Sequence, residues 1–245
     1  MSPPDRAPET LPLQERFVSV QGEGLLCGTP SSFVRVAGCN LRCAWCDTPR
    51  SSWSPEGTPV AVDELVAWCS AGPRHVVLTG GEPTLFPEVA HLSRALQARG
   101  HHITVETAGT RWLEGWEVDL VSLSPKLGHS TPESLGPRWQ ARHERLRWQP
   151  EVVRRWMDAA AWQLKFVVRT QSEDTLAADA AEVAAMVLAL GVQTHERDRV
   201  LLMPETIDPG DLQRAYRALL PICSAEGYRL GQRLHLALFG HTPGT

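Results

Sequence analysis

The feature that most constrains this fold is a rhythm: short apolar runs, each closing on a polar or glycine-containing turn, alternate with amphipathic stretches of helical period. The runs are Phe17 to Val20, Ser32 to Ala37, His75 to Thr79, His102 to Glu106, Val118 to Ser122, Gln163 to Val168, Val200 to Met203 and Leu234 to Phe239. Their length and β-branched content predict strands. Helices are predicted at Val62 to Cys69, Phe86 to Arg99, Glu173 to Leu190 and Pro209 to Ala225, several opened by Asp, Ser or Pro in capping positions. Such alternation argues for an α/β chain with a parallel sheet and crossover helices.

Four strands run out into HVVLTGGEP, HITVETAGT, VDLVSLSPK and LLMPET. Ligands of parallel α/β folds bind beyond the carboxyl ends of strands, so one site is expected to gather these loops. The Pro-rich residues 1–12 are expected to be a disordered leader, and 13–245 a single domain, which this length allows. A segment at about 128–161 breaks the rhythm. It has many arginines and tryptophans but no strand pattern, and is expected to be an insertion of helix and loop. Its arginines (Arg138, Arg142, Arg145, Arg147, Arg154, Arg155) are expected to form a solvated helical face.

A formal net charge of -4 gives no basic surface of the kind that neutralises phosphates, so no nucleic-acid partner is expected. VAAMVLALGV and the other apolar runs fall short of the roughly 20 residues needed to cross a bilayer. The N-terminus carries acids and prolines instead of a secretory signal. The expectation is a cytoplasmic protein with no membrane partner. There, six cysteines are more plausibly ligands or small core residues than a disulfide framework. Cys69 and Cys223 sit in helical patterns and are expected in the core; Cys27, in the loop EGLLCGT, has no assigned role.

The remaining three cysteines are packed into GCNLRCAWCDT as Cys39, Cys43 and Cys46. A four-iron cluster takes one ligand on each iron, so three thiolates leave one iron open, and an open position is what a catalytic metal site keeps. Two alternatives stand beside this: zinc, with a fourth ligand from Cys27 or a histidine, and a ferredoxin-type cluster, although Asp47 stands where a ferredoxin run has more cysteine or proline.

The spacing CxxxCxxC, with Trp45 just before the last cysteine and GGEP (Gly80 to Pro83) one βα unit later, resembles the radical S-adenosylmethionine superfamily. The resemblance implies an incomplete, TIM-type parallel β/α barrel. It also implies that a [4Fe-4S] cluster on Cys39, Cys43 and Cys46 is chelated at its open iron by S-adenosylmethionine, with Trp45, Gly80, Gly81, Glu82, Glu106, Ser122, Ser124 and Lys126 as cofactor contacts. An external electron donor of flavodoxin or ferredoxin type is implied as well.

FVSVQGEGLLCGTPSSFVRVAGCNLRCAWCDT is similar nearly end to end to the 7-carboxy-7-deazaguanine synthases. TGGEPTLF, VETAGT, SLSPK, LKFVV, MPE and RLHLALFG extend the likeness. Members of that family convert 6-carboxy-5,6,7,8-tetrahydropterin to 7-carboxy-7-deazaguanine and ammonia on the way to queuosine and other deazapurines. The likeness implies Mg2+ on Thr48 supported by Asp47, substrate contacts from Gln21, Glu23, Arg35, Thr79 and His235, and a homodimer. Three departures are visible: Ala108 replaces an asparagine of VETNGT, the tail is GHTPGT where relatives are more basic, and the Arg- and Trp-rich segment is unmatched. Two other readings remain open: an activase that places a radical on another protein's glycine, and a non-enzymatic metal module.

Overall fold

A computed structural model describes residues 9–245. Its backbone is one nine-stranded sheet: β1 (Thr10–Val20), β2 (Pro30–Val36), β3 (Thr58–Ala61), β4 (His75–Gly80), β5 (His102–Thr107), β6 (Leu120–Leu123), β7 (Ala161–Val168), β8 (Val200–Pro204) and β9 (Arg229–Leu230). The spatial order is β3-β1-β2-β4-β5-β6-β7-β8-β9, with β3 and β9 at its two edges, so the barrel is open and incomplete. From β2 through β9 every pairing is parallel; β1 pairs antiparallel with β2 and β3.

The helices are α1 (Pro49–Ser52), α2 (Val62–Ser70), α3 (Pro87–Gln97), α4 (Pro137–Arg147), α5 (Pro150–Ala159), α6 (Glu173–Leu190), α7 (Leu212–Glu226) and α8 (Leu234–Phe239). Helix α6 has the predicted bounds because both ends are encoded locally. The Ser172 side chain accepts from Thr175 N, and Gly191 closes the helix at a φ of 74°, which costs glycine little. Two apolar clusters back the sheet: one joins α2 and α3 to β1, β2, β4 and β5, the other joins α5, α6 and α7 to β6, β7 and β8. Cys69 and Cys223 are buried in them, as expected.

Three expectations need correction. The run Leu234 to Phe239 is a helix, because an apolar stretch this short does not distinguish the two periods. Leu236 is buried while Leu238 and Phe239 are exposed, the pattern of a surface helix. Of the expected leader, residues 1–8 lie outside the described residues, but Thr10 to Pro12 are strand, paired with Ala61 to Pro59, and Leu11 is fully buried. The edge strands β3 and β9 carry too few residues to stand out in the sequence.

The segment at 128–161 is also more than an insertion. Its second half, α5, is the crossover between β6 and β7 and places Val153 and Trp156 in the core at 0% exposure. Trp112 and Trp116 pack edge-on against Trp156, with centroids 4.6 and 5.5 Å away. Its arginines divide accordingly. Arg147 pairs with Glu144 and Glu182, Arg154 with Glu151 and Arg155 with Glu114, whereas Arg138, Arg142 and Arg145 stand exposed on α4.

Candidate active site

At the carboxyl ends of the parallel strands lies a cavity of about 410 Å³, a volume typical of small-molecule sites. Every site residue named from the sequence lines it except Glu82. The strand register explains the convergence. Val36 at the end of β2 pairs with Gly80 at the end of β4, so the cysteine loop and the GGEP loop leave the sheet side by side. Gly81 N donates to Val36 O at 3.1 Å and Glu82 N to Gly38 O at 2.9 Å. A Cβ on Gly81 would sit 2.3 Å from Gly38 O and 2.5 Å from Ser51 O, both backbone atoms, so the two loops touch closely enough to require glycine.

The cysteine loop is pinned from several sides. Ala44 N donates to Ser130 O, Arg42 N to His143 Nδ1, and Trp53 Nε1 to Cys43 O. Cys46 Sγ lies 2.9 Å from Ser52 Oγ. Burial pushes the Cys39 thiol up to about 12, reinforced by the Glu82 charge, and pushes Cys43 up to about 12 against the pull of Lys126. Both are therefore protonated at neutral pH unless a metal displaces the proton. Lys126 Nζ stands 5.3 Å over the Trp45 ring, and His129 stacks on Trp45 at 5.7 Å. His129 lies between Asp179 (3.4 Å) and Glu205 (3.1 Å).

Glu82 does not face the cavity. Fully buried, its carboxylate accepts from Thr84 N, Thr84 Oγ1, Thr107 Oγ1 and Ala108 N, tying the GGEP loop to the end of β5. The bond from Ala108 N, at 2.9 Å, is a backbone contact and survives the loss of the asparagine side chain.

The residues expected to contact substrate meet in a buried charge network. Lys165 Nζ donates to Glu23 Oε2 (3.0 Å) and Glu106 Oε1 (3.3 Å), and Arg233 donates to Glu23 Oε1 (3.3 Å) and Asp47 Oδ2 (2.6 Å). Glu106 also accepts from Gln21 Nε2 and Thr79 Oγ1, each at 3.2 Å. Burial alone would raise the Glu23 pKa, but Lys165, Arg233 and His235 overcome it and hold the carboxyl well below its usual range. Burial would likewise lower Lys165, and Glu106 and Glu23 reverse that, so the ammonium stays charged. His235 packs on Gly22, and burial holds its pKa down, so the ring is neutral.

Arg35 also lines the cavity, with its Nε committed to Glu15 at 2.7 Å. Asp47 is held by Arg233 beside Thr48, whose hydroxyl lies 3.9 Å from Cys46 Sγ. Cys27 is not among the residues that line the cavity and donates to Gly22 O at 3.4 Å.

Lys165, Arg233 and Gln163 were not singled out from the sequence. QLKFVV carries a signal, since Gln163 and Lys165 alternate with buried Leu164 and Phe166 and so share the cavity-facing side of β7. Gln163 accepts from Leu25 N (2.6 Å) and donates to Ser122 Oγ (2.8 Å), fixing the QGEG turn over the strand. Arg233 had no such signal. The tail also reaches the site, contrary to the doubt its composition raised: His241 Nε2 lies 2.9 Å from Asp47 O, and Thr242 to Thr245 line the cavity.

The donor set can be tested against the implied cluster. Among the described residues no three His, Cys, Asp or Glu side chains converge on a point where one ion could sit, yet Cys39, Cys43 and Cys46 all line one cavity. A cluster whose cysteines each bind a different iron takes thiolates spread in this way, so the residues fit it.

Comparison with known proteins agrees. The Radical SAM superfamily matches residues 33–126. A 7-carboxy-7-deazaguanine synthase of Halobacterium salinarum is 39% identical, over 96% of this chain and 93% of its own. One from Rhodopirellula baltica is 41% identical, over 98% and 91%. The crystal structure of QueE from Escherichia coli superposes with a TM-score of 0.67 at 25% identity, covering 92% of this chain and 95% of that one. The chain belongs to the 7-carboxy-7-deazaguanine synthase family, within the radical S-adenosylmethionine superfamily.

Proposed function

We propose that this protein converts 6-carboxy-5,6,7,8-tetrahydropterin to 7-carboxy-7-deazaguanine with release of ammonia, a radical ring contraction serving deazapurine biosynthesis. One observation carries the reading: the cysteine trio and the Gln21–Glu23–Glu106–Lys165 network line a single cavity. When bound, the cluster and S-adenosylmethionine would supply the one-electron chemistry needed to take hydrogen from carbon.

The residues of the chain bind and orient. Cys39, Cys43 and Cys46 hold the cluster; Trp45, Gly80, Gly81, Glu106, Ser122, Ser124 and Lys126 flank the cofactor. Glu82 acts from behind by holding the GGEP loop. Glu23, kept ionised by Lys165 and Arg233, accepts from the guanidine-like N–H pair of the pterin, and Gln21 and Thr79 complete that edge. Arg35 offers its remaining guanidinium donors to the substrate carboxylate, and neutral His235 contributes one ring nitrogen. Thr48 offers an oxygen ligand to Mg2+, whose other positions would fall to substrate and water; Asp47, occupied by Arg233, positions that loop.

No helix among the described residues is long and apolar enough to cross a membrane. Six free cysteines suit a reducing cytoplasm, where a flavodoxin or ferredoxin would serve as electron donor, and the working form is a homodimer. Anaerobic reconstitution with iron and sulfide, followed by assay for ammonia and the deazaguanine, tests the activity. A loaded cluster that cleaves S-adenosylmethionine but yields neither product from the pterin would sink it.

A further inference from the structure

The cysteine loop has an outer side, and that side is basic. On α4, Arg138, Arg142 and Arg145 recur at spacings of four and three residues, which puts them on one helical face. All three are exposed. Arg42, inside the cysteine loop itself, lies with its guanidinium 4.6 Å over the Trp139 ring, and Arg142 approaches the same ring at 5.3 Å.

None of these four arginines has a carboxylate partner among the described residues. The Arg42 guanidinium donates to Cys39 O (2.9 Å) and Leu41 O (2.7 Å), and Arg142 donates to Asn40 O at 3.4 Å. The contrast with Arg147, Arg154 and Arg155, each paired with a glutamate, is sharp. In a chain of net charge -4, four unpaired guanidiniums clustered on one face are an electrostatic feature that the fold does not need.

The face is also rigidly joined to the cysteine loop. His143, on the buried side of α4, accepts from Arg42 N at 3.2 Å and meets Ser130 Oγ at 2.8 Å, and Ser130 O accepts from Ala44 N. The helix that carries the arginines is therefore fixed against the cysteine loop.

We infer that Arg42, Arg138, Trp139, Arg142 and Arg145 form the docking surface for a small acidic one-electron carrier protein. Reductive opening of the cofactor's sulfonium consumes one electron; the carrier is oxidised by one electron and the cluster reduced by one, with no bond or proton exchanged between the proteins. Electron transfer requires close approach, and this patch abuts the loop that carries all three ligands. Transient redox complexes are small and steered by charge, which one helix face and one loop can supply. Nucleic acid is the less favoured occupant, because the formal net charge of the chain is -4. The inference rests on the assignment of Cys39, Cys43 and Cys46 as cluster ligands.

The test uses reconstituted holoenzyme and an oxidised acidic flavodoxin as probe. The triple charge reversal Arg138→Glu/Arg142→Glu/Arg145→Glu should raise the calorimetric Kd for flavodoxin by about 10-fold or more at low salt, a gap that closes as salt rises. Arg138→Gln/Arg145→Gln, which adds no like-charge repulsion on the helix, should shift it by about 3-fold. Formation of 5′-deoxyadenosine driven by dithionite, which needs no docking, should match wild type in both variants. Equal flavodoxin affinity in wild type and variants would overturn the inference, as would a wild type that does not bind flavodoxin. So would tighter binding of a short single-stranded RNA than of flavodoxin to the same face, or loss of dithionite-driven cleavage. None of these readouts requires the pterin reaction, so failure of that assignment leaves the result intact.

Discussion

Glu23 and Arg233 stand 210 positions apart in the chain and meet at 3.3 Å beneath the cavity, where the same guanidinium also holds Asp47 at 2.6 Å. One cation thus ties the QGEG turn to the residue after Cys46. The Arg233 side chain is 4% exposed, and breaking a buried pair by removing one partner costs about 3–5 kcal/mol. Arg233→Ala should lower urea-unfolding stability by about that much and weaken pterin binding by about 10-fold or more. Arg233→Lys should not restore either, since a single ammonium cannot present the planar fork that spans two carboxylates. Unchanged pterin affinity in Arg233→Ala would contradict this role.

Lys165 sits between Glu23 and Glu106 with 5% exposure. Lys165→Met leaves two carboxylates facing each other and should cost about 3–5 kcal/mol at pH 7. The acid side gives a second check. Because the folded pKa of Glu23 lies below its ordinary value of 4.5, its contribution is present above that pH and lost as pH falls through the folded value. Without Lys165 the depression shrinks, so the stability gap between wild type and variant should narrow on acidification below pH 4.5. A gap that widens there would argue against the pairing.

His143 is fully buried and pins α4 to the cysteine loop. Burial holds its pKa down to about 4, against 6.5 unperturbed. Between those values the unfolded chain binds a proton that the folded chain refuses, so stability falls as pH drops through this window, by up to about 3 kcal/mol. His143→Gln, which keeps polar atoms but does not titrate, should lose less over the same range. Melting temperatures of the two proteins between pH 7 and pH 4 should therefore converge; parallel curves would show that His143 does not titrate this way.

Gly81 offers a test of the contact between loops. Gly81→Ala would force a Cβ to within 2.3 Å of Gly38 O, and backbone on both sides cannot yield without moving Cys39. Iron and sulfide content after anaerobic reconstitution should drop well below that of wild type, with the far-UV circular dichroism retained. Full cluster loading would mean that the loops separate more easily than their packing suggests.

How much of this was legible in the sequence depended on whether the signal was local. Helix α6 carries its own start and stop in Ser172 and Gly191, and the site strands end in recognisable turns, so these were readable. Helix α8 was not, because LHLALF is apolar but for His235 and only its packing distinguishes helix from strand. The placement of sixteen named residues around one cavity follows from parallel strands ending at one level, a property of the topology. The role of Glu82 was hidden because its partners Thr107 and Ala108 arrive from the neighbouring strand, and that of Arg233 because Glu23 and Asp47 come from loops after β1 and β2, far from β9 in the sheet order.

The pairing of Val36 with Gly80, and the bond from Glu82 N to Gly38 O, make the two loops beyond β2 and β4 one mechanical body. This has a consequence for chimeras between relatives. A graft that exchanges the cysteine segment alone would bring a foreign carbonyl to face a native amide across a gap that admits no Cβ. Residues 30–97 are the smallest cassette that carries both loops, their strands and α3 together, and crossover points for recombination belong at its ends.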